Sequence, residues 1–324
     1  MRRLPKIVRR AVIVVLIATI GQVVKAQDDV AFTNYWAFQS FYNPAAAGAE
    51  GMLNVRAAYR MEMAGFEDGG KTMLIQGDMP MFFLPGQRHG CGVGFLNDMI
   101  GLFSLKRIWL QYAYHLPIKK VNRLSFGANL VVMTDAFDGS KVELGEGSSS
   151  GGAVPTSSVS GFGFDLDLGL RFSHKDIWNV GASVTHVLGP SISLGDEKRY
   201  KIDFSPTIHV IGGHCLRFHR REFALRSSAR VMSNMQSWRA DITERLCYDG
   251  SKGKMYGGVT YSPTISVGML FGIVFHGVSF GYSYEMYTGG IAIQNGTHEL
   301  HIGYEYDLTN QKKGRNFHQS VRWL

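Results

Sequence analysis

The chain reads as an all-β protein: a transmembrane antiparallel β-barrel of about fourteen strands, with a separate segment ahead of the first strand. Three observations predict this. Apolar residues alternate with polar ones or glycine at a strict period of two in segment after segment. The connections between those segments are long on one side and short on the other. The 324 residues include thirty-nine Gly, fourteen Tyr and twenty Phe but only nine Pro, a composition of strands and tight turns rather than helices.

The chain opens with Arg2, Arg3, Lys6, Arg9 and Arg10, then an apolar run from Ala11 to Ile20, then Val24-Lys25-Ala26 ahead of Gln27. Basic, apolar, then small is the order of a cleavable secretory signal. The run is shorter than the roughly 20 residues of a membrane-spanning helix, so residues 1–26 are expected to be removed. They hold six Lys or Arg and no acid, so the formal charge of +8 falls to +2 without them. What remains is too weakly basic for a nucleic-acid partner.

Residues 27–51 follow as a segment at the periplasmic mouth, containing the aromatic, uncharged stretch NYWAFQSFYNPAAAG (Asn34–Gly48). It is too irregular for an amphipathic helix, and Pro44 interrupts a strand. The barrel is expected over 52–308. Its clearest strand is FGFDLDLGLRF, where Phe162, Phe164, Leu166, Leu168, Leu170 and Phe172 take every second place, with Asp165, Asp167 and Arg171 among the others. Such sets point to opposite faces of a strand. Eleven residues also match the roughly 9–11 that cross a bilayer when tilted. The pattern recurs around Leu124–Val132, Ile265–Phe275, Val278–Tyr284 and Leu300–Tyr306.

Counting onward from Met52 gives fourteen strands, an even number that places both ends of the barrel in the periplasm. With the first strand running outward, the long connections Met61–Gly70, Ala136–Gly161, Leu188–Arg199 and Tyr287–Thr297 lie outside. Short ones such as Pro117–Asn122, Ser173–Ile177, Asp249–Lys254 and His276-Gly277 lie inside. Pro80–His89 and Ser262–Thr264 break this rule. Trp109, Tyr112, Tyr114, Trp178, Tyr200, Tyr256, Tyr282, Tyr284, Tyr304 and Tyr306 fall towards strand ends, where aromatic girdles belong. Glu244 shares a face with Ala240, Ile242 and Leu246, an unfavourable lipid-facing place that predicts a bulge or a shifted register. A soluble β-sandwich is the competing fold, but no second sheet is evident to cover so much apolar surface.

Residues with enzymatic letters do not assemble. Gly147-Ser148-Ser149-Ser150-Gly151 has the letters of a nucleophile elbow but lies in a polar loop, without the strand-turn-helix setting that motif needs. His298 and His301 would point to opposite faces of a strand. His214, Cys215 and His219 lack a full metal-ligand set. Cys91, Cys215 and Cys247 are an odd set for an exported chain. Neither a metal nor an organic cofactor is expected. The inward positions Arg56, Arg60, Asp165, Asp167, Arg171, Arg226, Arg230, Arg239, Asp241, Arg245, Glu285, Glu299 and Glu305 mix both signs. That mixture predicts a salt-bridged, occupied interior rather than an ion-selective ring.

The order of motifs resembles the PorP/SprF family of the type IX secretion system. The resemblance rests on Asn43, Pro44, Ala45 and Gly48; on Tyr59, Arg60, Met63, Gly65 and Phe66; on Gly92, Gly94, Asn97, Asp98, Gly101 and Phe103; on Tyr112–Leu116; and on the ending THELHIGYEYDL. Met63 stands where members usually have Trp. The resemblance implies an outer-membrane barrel that serves secretion or surface attachment of cargo. Its implied partners are the periplasmic ring of lipoprotein and associated subunit, or cargo bearing C-terminal signals, besides the lipid bilayer. The alternative function is a porin or hydrophobic-solute transporter with the N-terminal segment as a hatch. Residues 309–324 form a basic tail with Lys312, Lys313, Arg315 and Arg322 and no acid. Candidate partner contacts are Asn43, Pro44, Ala45, Gly48, Tyr59, Arg60, Gly65, Phe66, Phe317 and Trp323.

Overall fold

A computed structural model describes residues 29–66, 69–81, 88–119, 121–141, 157–175, 177–195, 200–218, 222–250, 253–288 and 296–308. The expected signal (1–26), the centre of the loop around Ser149, and the tail with Phe317 and Trp323 lie outside the described residues.

Strands follow from the alternation. They are β1 (Leu53–Met61), β2 (Lys71–Pro80), β3 (His89–Ile100), β4 (Phe103–Ile118), β5 (Asn122–Asp138), β6 (Ser158–His174), β7 (Trp178–Thr185), β8 (Ser191–Leu194), β9 (Tyr200–Asp203), β10 (Thr207–Arg217), β11 (Phe223–Ser233), β12 (Trp238–Asp249), β13 (Lys254–Ser262), β14 (Ser266–Phe275), β15 (Val278–Tyr287) and β16 (Thr297–Tyr306). Fourteen of them close into one antiparallel barrel in chain order, β10 lying beside β7. The seam is β1 against β16, from Leu53 opposite Tyr306 to Met61 opposite His298. Closure leaves no edge strand with unpaired backbone groups, a condition for crossing lipid. The chain enters β1 and leaves β16 at the same end, the periplasmic one in bacterial barrels.

The two faces are chemically opposite. On β6 the side chains of Phe162, Phe164, Leu168 and Leu170 face outward and are exposed, while Asp165, Asp167 and Arg171 face the lumen and are buried. A soluble sandwich would bury its apolar faces against a second sheet; here they form an apolar belt around the barrel. All thirteen inward charges expected from the alternation face the lumen. None of the three cysteines is disulfide-bonded.

Two expectations are corrected, and one outer connection gains detail. Trp109 and Tyr256 do not belong to the girdle: both face the lumen and are buried. The long outer connection after β7 carries structure of its own, since β8 and β9 pair in a hairpin that folds back over the lumen. Ile192 is fully buried there, and a Cβ on Gly161 would stand 2.2 Å from the Ser193 carbonyl oxygen. β12 needs no bulge, because its pairing with β11 is continuous from Trp238 to Tyr248. Glu244 does face outward, and its Oε2 accepts a hydrogen bond from the Ser227 hydroxyl of the opposite strand at 2.7 Å. A carboxylate costs less on the lipid face of a barrel than Arg or Lys, and the Ser227 bond offsets part of that cost.

Candidate functional site

The candidate site is the lumen, which residues 29–51 fill. The segment starts near the loop end and descends to the periplasmic end, where it turns into β1. Its course can be read contact by contact.

At the top, Asp29 is held by three wall residues: His186 Nε2 at 3.0 Å, the Thr185 hydroxyl at 2.7 Å and His209 Nε2 at 3.2 Å. His186 Nδ1 meets Asp165 at 2.6 Å. Burial opposes the charged forms of both Asp29 and His186. Their mutual attraction outweighs it, with Asp165 and His209 adding hydrogen bonds. Asp29 is therefore held well below the usual carboxylate range and His186 is raised to about 9.

Next, the backbone N–H groups of Thr33 and Asn34 donate to the Glu299 carboxylate at 2.7 and 3.0 Å. The Thr33 hydroxyl donates to Glu285 at 2.9 Å and accepts from Arg60 Nη1 at 2.9 Å. Arg60 itself reaches Glu62, Glu285 and Glu299 at 2.8 to 3.4 Å. Arg239 links Glu285 to Asp241, which Arg230 also holds. Buried charges persist where each finds a partner, and here plug backbone supplies part of the pairing.

The aromatic stretch then fills the middle. Tyr35, Trp36, Phe38, Phe41 and Tyr42 are buried. Trp36 packs edge-on to Tyr256 at 5.2 Å, and Phe41 packs on Trp109 at 5.6 Å, so the two misassigned aromatics are the wall's half of this layer. The guanidinium of Arg245 sits 3.5 Å from the Trp36 ring centre, and that of Arg230 lies over both Tyr35 and Tyr42 at 4.7 and 4.9 Å. Cation–π contact in a desolvated place contributes about 2 kcal/mol. Burial raises the Tyr42 hydroxyl to about 12, so it stays protonated, accepting from the Phe32 N–H at 2.8 Å and donating to the Val30 carbonyl at 3.1 Å.

Below the aromatics lies the Asn43-Pro44-Ala45 turn. Asn43 is extended, as a residue before proline prefers. Its Oδ1 caps the Ala45 N–H at 2.9 Å, and Pro44 occupies the first turn position, where a missing N–H costs nothing. The Asn43 amide donates to the Leu170 carbonyl at 3.0 Å. The wall admits this turn through bare backbone. A Cβ on Gly127 would stand 2.2 Å from Ala45 N, one on Gly169 2.1 Å from Asn43 Oδ1, and one on Gly90 2.1 Å from the Ala47 oxygen. Gly48 adopts φ +67, a left-handed conformation that favours glycine, and its N–H donates to Asp78 at 2.8 Å. His115 Nε2 meets the Ala47 carbonyl at 3.0 Å, and Arg123 donates to the Ala49 carbonyl at 2.5 Å.

Among the predicted residues, Asn43, Pro44, Ala45, Gly48 and Arg60 therefore converge in the lumen and are buried, so a partner reaches the first four only if the segment leaves. Tyr59 faces lipid; Gly65 and the exposed Phe66 lie at the loop end. Sequence reasoning passed over Asp29 and the wall glycines. Gly127 and Gly169 stand at inward places in clear strands, and inward glycine is the signal that backbone will approach there.

A family model described as "Type IX secretion system membrane protein PorP/SprF" matches residues 24–304. The chain belongs to the PorP/SprF family. This PorP/SprF protein is thus an outer-membrane component of the type IX secretion system, and its family places its partners within that system. No curated protein matches the chain. Among solved structures it is similar to the Ralstonia pickettii toluene transporter TbuX, at 12% identity and a TM-score of 0.48, covering 82% of this chain and 92% of that one. It is also similar to the CymD monoaromatic hydrocarbon channel, at 10% and 0.49, covering 87% and 94%. A Pseudomonas aeruginosa FadL homologue follows at 11% and 0.47, covering 83% and 93%.

Proposed function

We propose that this barrel is a closed, non-catalytic support for the secretion machinery, not a conduit. In this reading it assists secretion or surface attachment of cargo proteins and contacts the periplasmic ring, lipoprotein and associated subunit, through its periplasmic end. The observation that supports it is the lumen itself. A hatch that opens for solute needs few contacts to break, whereas this segment shares buried ion pairs, an aromatic layer and a glycine-lined turn with the wall. Asn43, Pro44, Ala45 and Gly48 then act by setting the plug. The basic tail with Phe317 and Trp323 offers the periplasmic contact, suited to an acidic protein surface, and Gly65-Phe66 offers one at the cell surface.

Truncation after Leu308, read by co-purification and by secretion of cargo, tests this function. Insertion into the outer membrane is expected to persist while recovery of the periplasmic subunits and secretion both fall. Full recovery of those subunits by the truncated protein refutes the role of the tail. Steady, large single-channel currents through the wild-type barrel in a planar bilayer would instead establish the porin or hydrophobic-solute transporter.

A further inference from the structure

Among the described residues three buried lumen arginines lack the ion pair that the others make: Arg171, which reaches Gln39 at 3.4 Å, and the neighbours Arg226 and Arg245. Arg60, Arg107, Arg230 and Arg239 each have a carboxylate within 3.4 Å. Arg226 on β11 and Arg245 on β12 stand directly opposite each other in the register. Both are buried, at 2% and 0% exposure, and among the described residues neither forms an ion pair with an acid. Four guanidinium nitrogens, Nε and Nη1 of each, find no hydrogen-bond acceptor. Like charges placed opposite each other across strands repel, and an unsatisfied buried charged donor is more costly still.

Arg226 and Arg245 both line a small cavity near the periplasmic end, with Asn179, His214, Cys215 and Ser228 among its other residues. Its volume of about 10 Å³ holds roughly one water-sized occupant. A tetrahedral oxyanion is too large for it. The lining supplies N–H and O–H donors and no carboxylate that would repel an anion. Arg245 already spends one nitrogen on the Ser228 hydroxyl at 3.4 Å, and its guanidinium carbon sits 3.5 Å from the Trp36 ring centre.

We infer that Arg226 and Arg245 form a binding site for a monoatomic anion of halide size, with chloride as the abundant ligand. The anion bridges the two guanidiniums, removes their repulsion and accepts their free donors. Because the Arg245 guanidinium lies against the Trp36 ring, the same ion ties the aromatic layer to β11 and β12.

The test uses the full-length protein in detergent micelles, with unfolding followed by tryptophan fluorescence. Sodium chloride or bromide is titrated against sodium gluconate at constant ionic strength. A ligand at ten times its dissociation constant multiplies the folding equilibrium about elevenfold, which raises the midpoint by about 2–4 °C. A saturable rise of that size in chloride and bromide, absent in gluconate and abolished in Arg226→Gln, supports the site. Equal midpoints in chloride and gluconate overturn it, as does a larger effect of sulfate or an unchanged chloride response in Arg226→Gln. If that variant does not fold, crystals of the wild type in bromide decide: an anomalous peak between the two guanidiniums supports the site, and its absence overturns it.

Discussion

Adding one carbon at Gly127 is expected to lever the plug off the wall. The Cβ of Gly127→Ala would stand 2.2 Å from Ala45 N and 2.3 Å from the Pro44 carbonyl carbon, both backbone atoms that cannot rotate away. Ordinary contact begins near 3.4 Å, so the turn has to retreat by more than an ångström. A retreat of that size takes the Asn43–Leu170 and His115–Ala47 hydrogen bonds, each 3.0 Å long, out of range. Two neutral bonds contribute about 2 kcal/mol and overpacking adds about 2 kcal/mol more. The total of about 4 kcal/mol shifts the seated-to-released ratio by nearly three powers of ten.

Planar-bilayer recording reads that shift directly: a wild type with rare openings becomes a variant with frequent ones, and its unfolding midpoint falls. Gly257→Ala is the control, since a Cβ there meets nothing within 4 Å, and it should match the wild type in both assays. A Gly127→Ala protein as silent and as stable as the wild type would show that the turn is not wedged against β5, and the reasoning from wall glycines would fail.

Arg60→Met removes the cation shared by Glu285 and Glu299, leaving the buried Glu299 without an ion pair among the described residues while Glu285 keeps Arg239. Stability is expected to fall by about 3–5 kcal/mol, with Arg60→Lys losing less; a midpoint unchanged in Arg60→Met refutes the hub. The top latch depends on pH in a set direction. His186 is raised to about 9, so its contribution is complete below its ordinary value near 6.5 and fades as pH climbs through 9. Asp29 is lowered, so its contribution holds above its ordinary value near 4 and is lost only in stronger acid. Unfolding midpoints should therefore fall between pH 7 and 10 in the wild type and much less in Asp29→Asn; parallel profiles for the two proteins would refute the latch.

Alternation carried most of the architecture because a membrane barrel has only two environments, lipid outside and lumen inside. Parity along a strand then assigns a face without further knowledge. Trp109 and Tyr256 show how the rule was passed over. Trp109 lies between outward Ile108 and Leu110, and Tyr256 between outward Met255 and Gly257, so parity pointed both inward. Their chemistry suggested the girdle instead. Glu244 is the converse case: parity placed it outward correctly, and its partner Ser227, seventeen residues away, could be found only from the register. The hairpin of β8 and β9 has four residues per strand in a polar stretch, too short for period two to stand out. The plug's anchors lay beyond sequence reasoning because they join residues such as Asn34 and Glu299, 265 positions apart.

Those long-range anchors also bear on whether the segment is a removable hatch or part of the fold. Thr33 and Asn34 bind one side of the barrel, at Glu285 on β15, Glu299 on β16 and Arg60 on β1, the three strands at the closing seam. Asp29 above them is held away from the seam, by Thr185 on β7 and His209 on β10. The segment's lower half binds the other side: Asn43 reaches β6, Ala47 reaches His115 on β4, and Ala49 reaches Arg123 on β5. The segment is therefore a strut across the lumen, and its departure would leave Glu285, Glu299 and Arg60 less well satisfied at the junction of the first and last strands. Here the wall's charges, glycines and inward aromatics are shaped to the segment, as the Glu299 contacts and the close approach at Gly127 show. That fit is what the proposed closed scaffold rests on.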